Sequence, residues 1–276
     1  MIYRTILNHV ILLFGVFIML SPILLIFFSS SQSTSDLRTS GMQFEFGNHL
    51  VQNYDSVLNF ESGFTDEITP MAMLANSLII ATGVGVLTTL LSFFTAYSIV
   101  FFKFKSANII FWLVLSTLLF PLEARFIPTF QIASSLGLIN THLGIILPVI
   151  AAALGTFFFR QYFLSLPEEL LEAALLDGAG SFKFALDILI PLSLSRAAAI
   201  FIIAFMIGWN QYLWPIMIST DDTLYTLVRG IRFMGQGGGT SMAFTIITIA
   251  PPFILVLIFQ RWFFSGLGVE NKLSQK

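Results

Sequence analysis

The sequence contains no cysteine, so no disulfide can tie its loops together and no thiol can serve as a nucleophile or metal ligand. Its three histidines, His9, His49 and His142, are widely separated and do not form a metal-binding motif. Charged residues are also scarce, at 10 % of the 276 positions. A soluble domain of this length needs far more polar surface to cover its core, which excludes a soluble globular protein.

The sequence also lacks the G-x-x-x-x-G-K-[ST] pattern, whose backbone and lysine hold the phosphates of ATP. The glycine-rich run GQGGG at 235–239 contains no lysine, and it indicates a flexible outer loop instead of a phosphate cradle. No nucleophile and base stand in an arrangement typical of covalent catalysis. We therefore expect that this chain is not an enzyme and that it binds no cofactor or metal of its own.

Apolar residues dominate what is present. They make up 56 % of the chain, 31 of them are phenylalanine, and the mean hydropathy is +0.88. Continuous apolar runs of about twenty residues are typical of helices that span a bilayer. The first run is too long for a signal peptide and no small-residue cleavage site follows it, so we expect a retained helix. The sequence predicts an all-α membrane protein with six transmembrane helices, at 7–30, 71–102, 108–132, 143–164, 194–218 and 242–264.

Lysine and arginine are unevenly distributed between the loops, and this bias predicts the orientation of the spans. With the N-terminus inside, four of these residues fall in the outer segments, namely Arg38, Arg125, Arg229 and Arg232. The inner segments then hold nine, namely Arg4, Lys103, Lys105, Arg160, Lys183, Arg196, Arg261, Lys272 and Lys276. The pattern therefore predicts that both termini lie in the cytoplasm (N-in/C-in).

Prolines lie inside several of the predicted spans. Pro148, Pro215 and the pair Pro251–Pro252 each lack the N–H that a helix needs for its hydrogen bonds. Interruptions of a membrane helix are tolerated where they line a cavity or a moving joint. The prolines therefore predict interruptions at these three places.

The loop between the fourth and fifth predicted spans, 165–192, has the sequence SLPEELLEAALLDGAGSFKFALDILIPL. Ser165 and Glu168 have the spacing of a capping box, which predicts a helix start. Gly178 and Gly180 end this helix, and Gly178 is expected to have a positive φ. A second helix is expected to begin near Ser181 and to continue into the fifth span.

The first helix of this loop has an acidic side and a short stripe of small apolar residues. A helix of this size is not stable alone in water, so it needs a surface to pack against. One interpretation is a loop that lies on the lipid headgroups, but interfacial helices are usually basic and carry bulky anchors. The acidic, alanine-rich surface favours the alternative, a docking site for a partner protein.

The loop closely resembles the EAA motif of ABC importer permeases. The residues that match are Glu172-Ala173-Ala174, Gly178, Ile188 and Ile190-Pro191, with isoleucine at 190 where the family usually has leucine. In that family the loop is a coupling helix that sits in a cleft of a cytoplasmic ATPase. The resemblance thus implies ATPase-coupling roles for Glu168, Glu169, Glu172, Ala173, Ala174, Asp177, Gly178 and Pro191.

The resemblance extends over most of 71–268. This part of the sequence is similar to the carbohydrate-uptake (type I) branch of these permeases. It rests on LGLINTHLGIILP (136–148), FFFRQYFLSLPEEL (157–170) and GWNQYLWPIMI (208–218). Two strings, FPLEARFIPT (120–129) and GWNQYLWP (208–215), look most like the second permease subunits of sn-glycerol-3-phosphate importers. The resemblance implies a single transmembrane permease domain over 1–276, with the first helix and outer loop at 1–70 and the core at 71–268.

This family membership would also imply partners and a location. The expected partners are a second, homologous permease, a dimer of ABC ATPases that bind ATP and Mg, an extracytoplasmic substrate-binding protein and the lipid bilayer, with no nucleic acid. The expected location is the bacterial inner membrane. The implied substrate is sn-glycerol-3-phosphate or a related phosphorylated polyol.

Two groups of polar residues within the predicted spans are candidates for the substrate path. Charges at membrane depth are costly and usually face a cavity or a partner, which makes Glu123 and Arg125 candidates. The alternative is that both reach water at the outer headgroups. The second group lies on the fifth span beside Gly208 and Pro215, where the alternative is an aromatic interfacial anchor. Its members are Trp209, Asn210, Gln211, Tyr212 and Trp214.

Three other functions remain open from the residues. A permease for a non-phosphorylated sugar or oligosaccharide fits the same family. A secondary transporter driven by an ion gradient could use Glu123 as a proton relay, and a membrane scaffold would need no transport path at all. Both of the latter leave the acidic, alanine-rich loop unexplained.

Overall fold

The computed structural model describes residues 2–59, 68–102, 104–121, 123–151, 153–234 and 238–266, without the side chains of Ile2, Arg4 and Glu123. Helices are the only regular secondary structure in these residues, which confirms the predicted all-α class. In chain order they are α1 (Ile2–Ser29), α2 (Thr34–Ser40), α3 (Leu50–Leu58), α4 (Pro70–Phe101), α5 (Ala107–Ser116), α6 (Phe126–Ser135), α7 (His142–Ile146), α8 (Ala153–Leu164), α9 (Glu169–Leu176), α10 (Ser181–Phe184), α11 (Ile190–Trp209), α12 (Leu213–Ile218), α13 (Leu227–Gly230) and α14 (Gly239–Gly266).

Four helical stretches among the described residues are long and apolar enough to cross a membrane. They are Thr5–Ser29, Pro70–Phe101, Ser181–Trp209 and Gly239–Gly266. They correspond to the first, second, fifth and sixth predicted spans. The total of six spans and the N-in/C-in orientation stay predictions, because no membrane fixes either of them here.

The third, fourth and fifth predicted spans are not continuous helices. The stretch 108–132 contains α5, two short 3₁₀ turns (Thr117–Leu119 and Glu123–Arg125) and the start of α6. The stretch 143–164 is divided between α7 and α8. Within 194–218, α11 ends at Trp209 and α12 begins at Leu213. Hydropathy measures how apolar a segment is, so it cannot detect these interruptions; Pro148 marks one of them.

The proline pair has a smaller effect than the sequence predicts. Helix α14 continues through Pro251–Pro252, so the expected interruption there is wrong. Each proline removes one backbone donor, and a 28-residue helix retains enough bonds on either side to continue. Helix α1 accommodates Pro22 in the same way.

The chain divides into two compact units, and the first comprises Met1–Leu74 and Tyr225–Pro251. In this unit the segment after α1 folds back on the end of that helix. The Asn53 side-chain amide donates to the carbonyls of Ser30 and Gln32, at 2.8 and 2.9 Å. The ring of Phe28 contacts that of Phe46, with 4.6 Å between centroids. These contacts give a definite fold to part of the 31–70 loop, for which the sequence shows no motif.

The second unit comprises Ala75–Leu224 and Pro252–Lys276 and contains both candidate sites. One buried cluster lies next to the 165–192 loop and joins α4, α8, α10 and α11 through Phe93, Tyr97, Phe159, Phe163, Phe184 and Ile200. A second cluster joins α4, α6, α7, α11 and α12 through Ile80, Val84, Ala133, Ile145, Ala204, Trp214 and Ile218. The first cluster positions the loop, and the second positions the Trp214 region.

Candidate functional site

The helix of the 165–192 loop begins three residues later than its capping signal suggests, because its N-cap is Glu168 and not Ser165. Helix α9 starts at Glu169, and its N-cap residue, Glu168, makes no side-chain capping bond. The Ser165 hydroxyl instead donates to the carbonyl of Tyr162, at 2.7 Å. The predicted capping box is therefore wrong, because α9 begins only after Glu168 and the Ser165 side chain is directed at the end of the preceding helix α8.

The end of α9 has the geometry that its glycine predicts. Gly178 has φ +74°, a conformation that L side chains rarely adopt. Its N–H donates to the carbonyl of Leu175 at 3.0 Å, and the N–H of Ala179 donates to that of Ala174 at 2.9 Å. This bond pair is the Schellman motif, which ends a helix by satisfying its last carbonyls.

One face of α9 packs on the ends of the long helices. Ala174 is buried against the cluster that contains Phe163 and Phe184. The hydroxyl of Tyr97, on α4, donates to the carbonyl of Ser181 at 2.7 Å. The loop is thus anchored on protein and is not simply laid on lipid headgroups.

The opposite face of α9 is exposed and combines carboxylates with small and apolar side chains. Leu175 and Leu176 are 61 % and 89 % exposed, which is unusual for leucine on a short helix packed against a protein core. Of the residues predicted to couple to an ATPase, Ala174 alone is buried, and the exposed ones are Glu168, Glu169, Glu172, Ala173, Asp177, Gly178 and Pro191. The loop therefore presents most of these residues on an accessible surface.

The return from the loop into the membrane contains one wide helical turn. Residues Ala185–Leu189 form a π-helix between α10 and α11, so helical structure is continuous over Ser181–Trp209. Pro191 lacks the N–H that would extend the regular α pattern at this point. The second predicted helix, beginning near Ser181, is confirmed.

Arg125 lies beside a small cavity in the second unit. The cavity has a volume of about 80 Å³ and is lined by Arg125, Phe126, Thr129, Val149, Trp214 and Pro148. The Nε of Arg125 is buried and has no hydrogen-bond partner among the described residues. The structure therefore brings together two predicted site residues, Arg125 and Trp214. The side chain of Glu123 lies outside the described residues.

The other aromatic and amide residues of the predicted path lie where the fifth span is interrupted. The Trp214 indole donates to the carbonyl of Gly144 at 3.1 Å, and the Asn210 amide donates to that of Met206 at 2.8 Å. Trp209 is buried with its ring stacked on Phe205. Tyr212 is partly exposed. These contacts give Trp209 and Trp214 a role in packing that the sequence did not predict.

Gln211 differs from its neighbours because it is buried with both amide atoms unpaired among the described residues. A buried polar atom without a partner costs about 1–3 kcal/mol, so native structures rarely retain one without a reason. Gln211 is the strongest candidate in this group for a contact with something other than the described chain.

A set of polar side chains is linked by hydrogen bonds at one end of the second unit, and the sequence did not predict it. His142 Nε2 lies 2.9 Å from Oδ1 of Asn76, whose Nδ2 donates to the carbonyl of Thr223 at 2.7 Å. The Asn140 side chain accepts the N–H of Thr220 at 2.7 Å, and its φ is +57°. The string LGLINTH contains two of these residues, but their partners are 66 to 80 positions away.

Metal binding has no support among the described residues, where no three His, Asp or Glu side chains form a group that could hold an ion. The electrostatics of the 165–192 loop come from its acidic side chains, which face outward on α9.

Comparisons with known proteins place this geometry in a family. A family model described as "Binding-protein-dependent transport system inner membrane component" matches residues 81–268. A protein named "sn-glycerol-3-phosphate transport system permease protein UgpE" from Yersinia pestis bv. Antiqua (strain Antiqua) is 41 % identical over 271 residues, 96 % of each chain. A protein of the same name from Brucella melitensis is 38 % identical over 274 residues, again 96 % of each chain.

A solved structure shares the fold. It is titled "Crystal structure of a bacterial ABC transporter involved in the import of the acidic polysaccharide alginate", and the matching chain has a TM-score of 0.76 at 23 % identity. The match covers 95 % of this chain and 96 % of that one. The fold, the family model and the two relatives agree with the EAA-type loop. This chain belongs to the family of inner-membrane components of binding-protein-dependent transport systems.

Proposed function

We propose that this chain is the permease subunit of an ATP-driven importer for sn-glycerol-3-phosphate or a related phosphorylated polyol. The relatives named for sn-glycerol-3-phosphate transport match it over nearly their whole length, which supports this substrate class. The chain would form half of the translocation path, and a homologous second permease would form the other half. An extracytoplasmic binding protein would deliver the substrate.

The observation that carries the proposal is the exposed face of α9. On the inner side of the loop, Ala174 of α9 lies in the buried cluster and Tyr97 donates to Ser181, the first residue of α10. A force on the loop would therefore reach α4 and α11. The outer side of α9 presents three carboxylates beside exposed leucines. A partner cleft with donors or positive charge and an apolar floor would complement this face.

The partner that fits is a dimer of ABC ATPases, one for each permease. Closure of the ATPases on ATP would pull the two coupling loops together and turn the cavity from inward-facing to outward-facing. ATP and Mg would be bound by those subunits, because this chain carries no P-loop sequence. This chain would supply the coupling residues Glu168, Glu169, Glu172, Ala173, Ala174, Asp177, Gly178 and Pro191.

Arg125 is proposed as the residue that meets the phosphate. A phosphate dianion leaving water needs positive charge or several donors, and a guanidinium can contact two of its oxygens at once. The unpaired Nε of Arg125 and the adjacent cavity of about 80 Å³ support this role. That volume exceeds the ~10–15 Å³ that admits one water, so a small polar group can enter.

The remaining path residues would act around this point. Gln211 would donate to or accept from substrate hydroxyls through its unpaired amide. Asn210 and Tyr212 would contribute polar groups, while Trp209 and Trp214 would shape the wall. Glu123 is proposed as a further residue of the same path.

Co-purification tests the proposal. When the tagged chain is purified from its own host, a second permease and an ABC ATPase should co-purify with it. Deletion of its gene should abolish uptake of sn-glycerol-3-phosphate. If uptake of a non-phosphorylated sugar is lost instead, the substrate assignment is wrong. If no ATPase is recovered and uptake follows an ion gradient, the chain works as a secondary transporter.

A further inference from the structure

A second cavity, mostly apolar with a few polar groups, lies between α8, α11 and the last residue of α14, at the end of α8 and α11 that carries the 165–192 loop. Its volume is about 240 Å³, and its lining includes Gln161, Tyr162 and Ser165 on one side and Arg196 on the other. It is separate from the cavity at Arg125, with which it shares no lining residue. Neither the coupling role nor the substrate path uses these residues.

Arg196 is held in this cavity by an aromatic ring. Its guanidinium carbon lies 3.6 Å from the ring centroid of Tyr162, a distance typical of a cation–π contact. The Tyr162 hydroxyl donates to the carbonyl of Leu192 at 2.9 Å, which fixes the ring. Arg196 is partly exposed and forms no hydrogen bond or ion pair with any of the described residues, so its five N–H donors are available to water or a ligand.

The groove becomes apolar away from the loop. A neighbouring cavity of about 20 Å³ shares Phe158, Ile200 and Ile203 with the first and continues along Leu154 and Ile207. The lining positions 154, 158 and 161 on α8, with 165 just after its end, and 196, 200, 203 and 207 on α11 recur at helical spacing. Each helix therefore presents one stripe. Each stripe is apolar in its inner part and polar at the loop end.

We propose that this groove binds an anionic phospholipid, with the phosphate at Arg196 and an acyl chain along the apolar stripe. Arg196 offers a fixed positive charge, while the Gln161 amide offers further N–H donors. The Ser165 hydroxyl adds a polar wall, but its O–H already donates to the carbonyl of Tyr162. A soluble anion would use only the polar end and would leave the apolar stripe uncovered. The proposal rests on the proposed function in one respect, because it takes the loop end as cytoplasmic, where anionic lipids give the leaflet a negative potential.

The chain supplies a matched control. Arg160, on α8, also lies over an aromatic ring, with its guanidinium carbon 4.1 Å from the Phe111 centroid. It donates to the Asn108 side chain at 3.3 Å and does not line the groove. Arg160→Gln therefore removes the same charge and the same kind of stacking contact, but from a position on α8 outside the groove.

Lipid retention by the purified importer complex tests the proposal. Native mass spectrometry would compare bound phosphatidylglycerol and phosphatidylcholine for the native complex, Arg196→Gln, Gln161→Glu and Arg160→Gln. We expect Arg196→Gln to lower phosphatidylglycerol retention about fivefold, from ~1 kcal/mol per cation near the headgroups, and to leave phosphatidylcholine unchanged. Gln161→Glu, at an exposed position, should do the same by repulsion, and Arg160→Gln should have no effect.

Several results would overturn the proposal. Full retention in Arg196→Gln and Gln161→Glu, or an equal loss in Arg160→Gln, would remove the site. Displacement of the lipid by millimolar inorganic phosphate would identify a soluble-anion site instead. If Arg196→Gln fails to assemble, Gln161→Glu decides alone. Because bound lipid is read by mass, a negative result here leaves uptake and ATPase recovery, which test the proposed function, to be judged separately.

Discussion

The hydroxyl of Tyr97 donates to the backbone carbonyl of Ser181 at 2.7 Å, which joins a long membrane helix to the first residue of the helix that follows the coupling loop. The two residues are 84 positions apart in the sequence. The same tyrosine belongs to the buried cluster that holds Ala174 of α9. A movement of the loop therefore reaches α4 through one hydrogen bond and a set of packed side chains.

Tyr97→Phe should loosen this connection without disrupting the fold. The ring still fills the cluster, and the lost bond is worth about 0.5–1.5 kcal/mol. We expect uptake to fall severalfold while ATPase activity without substrate rises, as measured in the reconstituted complex. Tyr54→Phe is the control, since its hydroxyl contacts Ser30 in the other unit. Unchanged coupling in Tyr97→Phe would mean that the packed side chains carry the connection alone.

Gly178 and Gly180 allow a test of backbone conformation at constant side-chain chemistry. Gly178 has φ +74°, Gly180 has φ −69°, and an added Cβ at either position would meet nothing within 4 Å. Gly178→Ala should therefore strain the turn by about 1 kcal/mol and lower uptake, while Gly180→Ala should be neutral. Gly178→Asn should be milder, because asparagine tolerates this conformation.

Gly178→Asp adds a negative charge at this turn and should uncouple transport, with expression retained and uptake sharply reduced. Aspartate tolerates a positive φ much as asparagine does, so the charge is the main cause of the expected effect. Equal uptake in Gly178→Ala and Gly180→Ala would show that the positive φ is not required for coupling. Normal uptake in Gly178→Asp would remove the coupling role of this turn.

Glu172 tests the charge of the docking face. Its side chain is exposed on α9, so its replacement should not disturb the fold. Glu172→Lys should weaken recovery of the ATPase in a pull-down, and Glu172→Gln should have an intermediate effect, because the partner cleft is expected to offer donors or positive charge. The difference between the variants should shrink as salt rises. Full recovery of the ATPase by Glu172→Lys at every salt concentration would contradict this docking surface.

Arg125 tests the substrate path. Arg125→Gln should lower uptake of sn-glycerol-3-phosphate at least tenfold, the cost of losing one charge-assisted contact of about 1.5–3 kcal/mol, while assembly and basal ATPase activity stay intact. Arg125→Lys should retain only part of the native uptake, because lysine cannot contact two phosphate oxygens at once. The control is Arg232→Gln, at an exposed position in the first unit. Failed assembly of Arg125→Gln would indicate that Arg125 belongs to a structural ion pair. Unchanged uptake would mean that the partner subunits select the substrate.

His142 predicts a pH effect on stability. Partial burial lowers the pKa of His142 below its ordinary 6.5, so the folded state binds a proton less readily than the unfolded state. The stabilising contribution is complete above the unfolded pKa and is lost as pH falls from there through the lower folded pKa. Thermal unfolding of the complex should show a larger drop in midpoint between pH 7.5 and 5.5 for the native chain than for His142→Gln. Parallel drops would show that other groups control the acid sensitivity.

The coupling loop was largely predictable because its signals are local. A helix that ends at a glycine such as Gly178 commonly gives that residue a positive φ. The acidic and the apolar positions each recur at helical spacing, so they lie on different faces of the helix. The start of α9 was not predictable from Ser165, because the hydroxyl of this residue donates to the carbonyl of Tyr162 in the preceding helix. In the cap, the same oxygen would accept the N–H of Glu168, and packing decides which position the side chain takes.

The substrate path was less predictable because it depends on contacts between distant segments. Arg125 and Trp214 line one cavity although they are 89 positions apart in the sequence. The burial of Gln211 and the link from His142 to Asn76 follow from tertiary packing and leave no trace in hydropathy. Hydropathy likewise could not separate the continuous α14 from the interrupted stretch at 143–164.

Transport by the complete complex in proteoliposomes tests the central claim most directly. With the binding protein outside and ATP inside, the complex that contains the native chain should accumulate labelled sn-glycerol-3-phosphate, and the substrate-loaded binding protein should stimulate ATP hydrolysis. The complex with Gly178→Asp should still bind the ATPase but accumulate little. Accumulation that continues without ATP, or that is equal for the native chain and Gly178→Asp, would contradict the account.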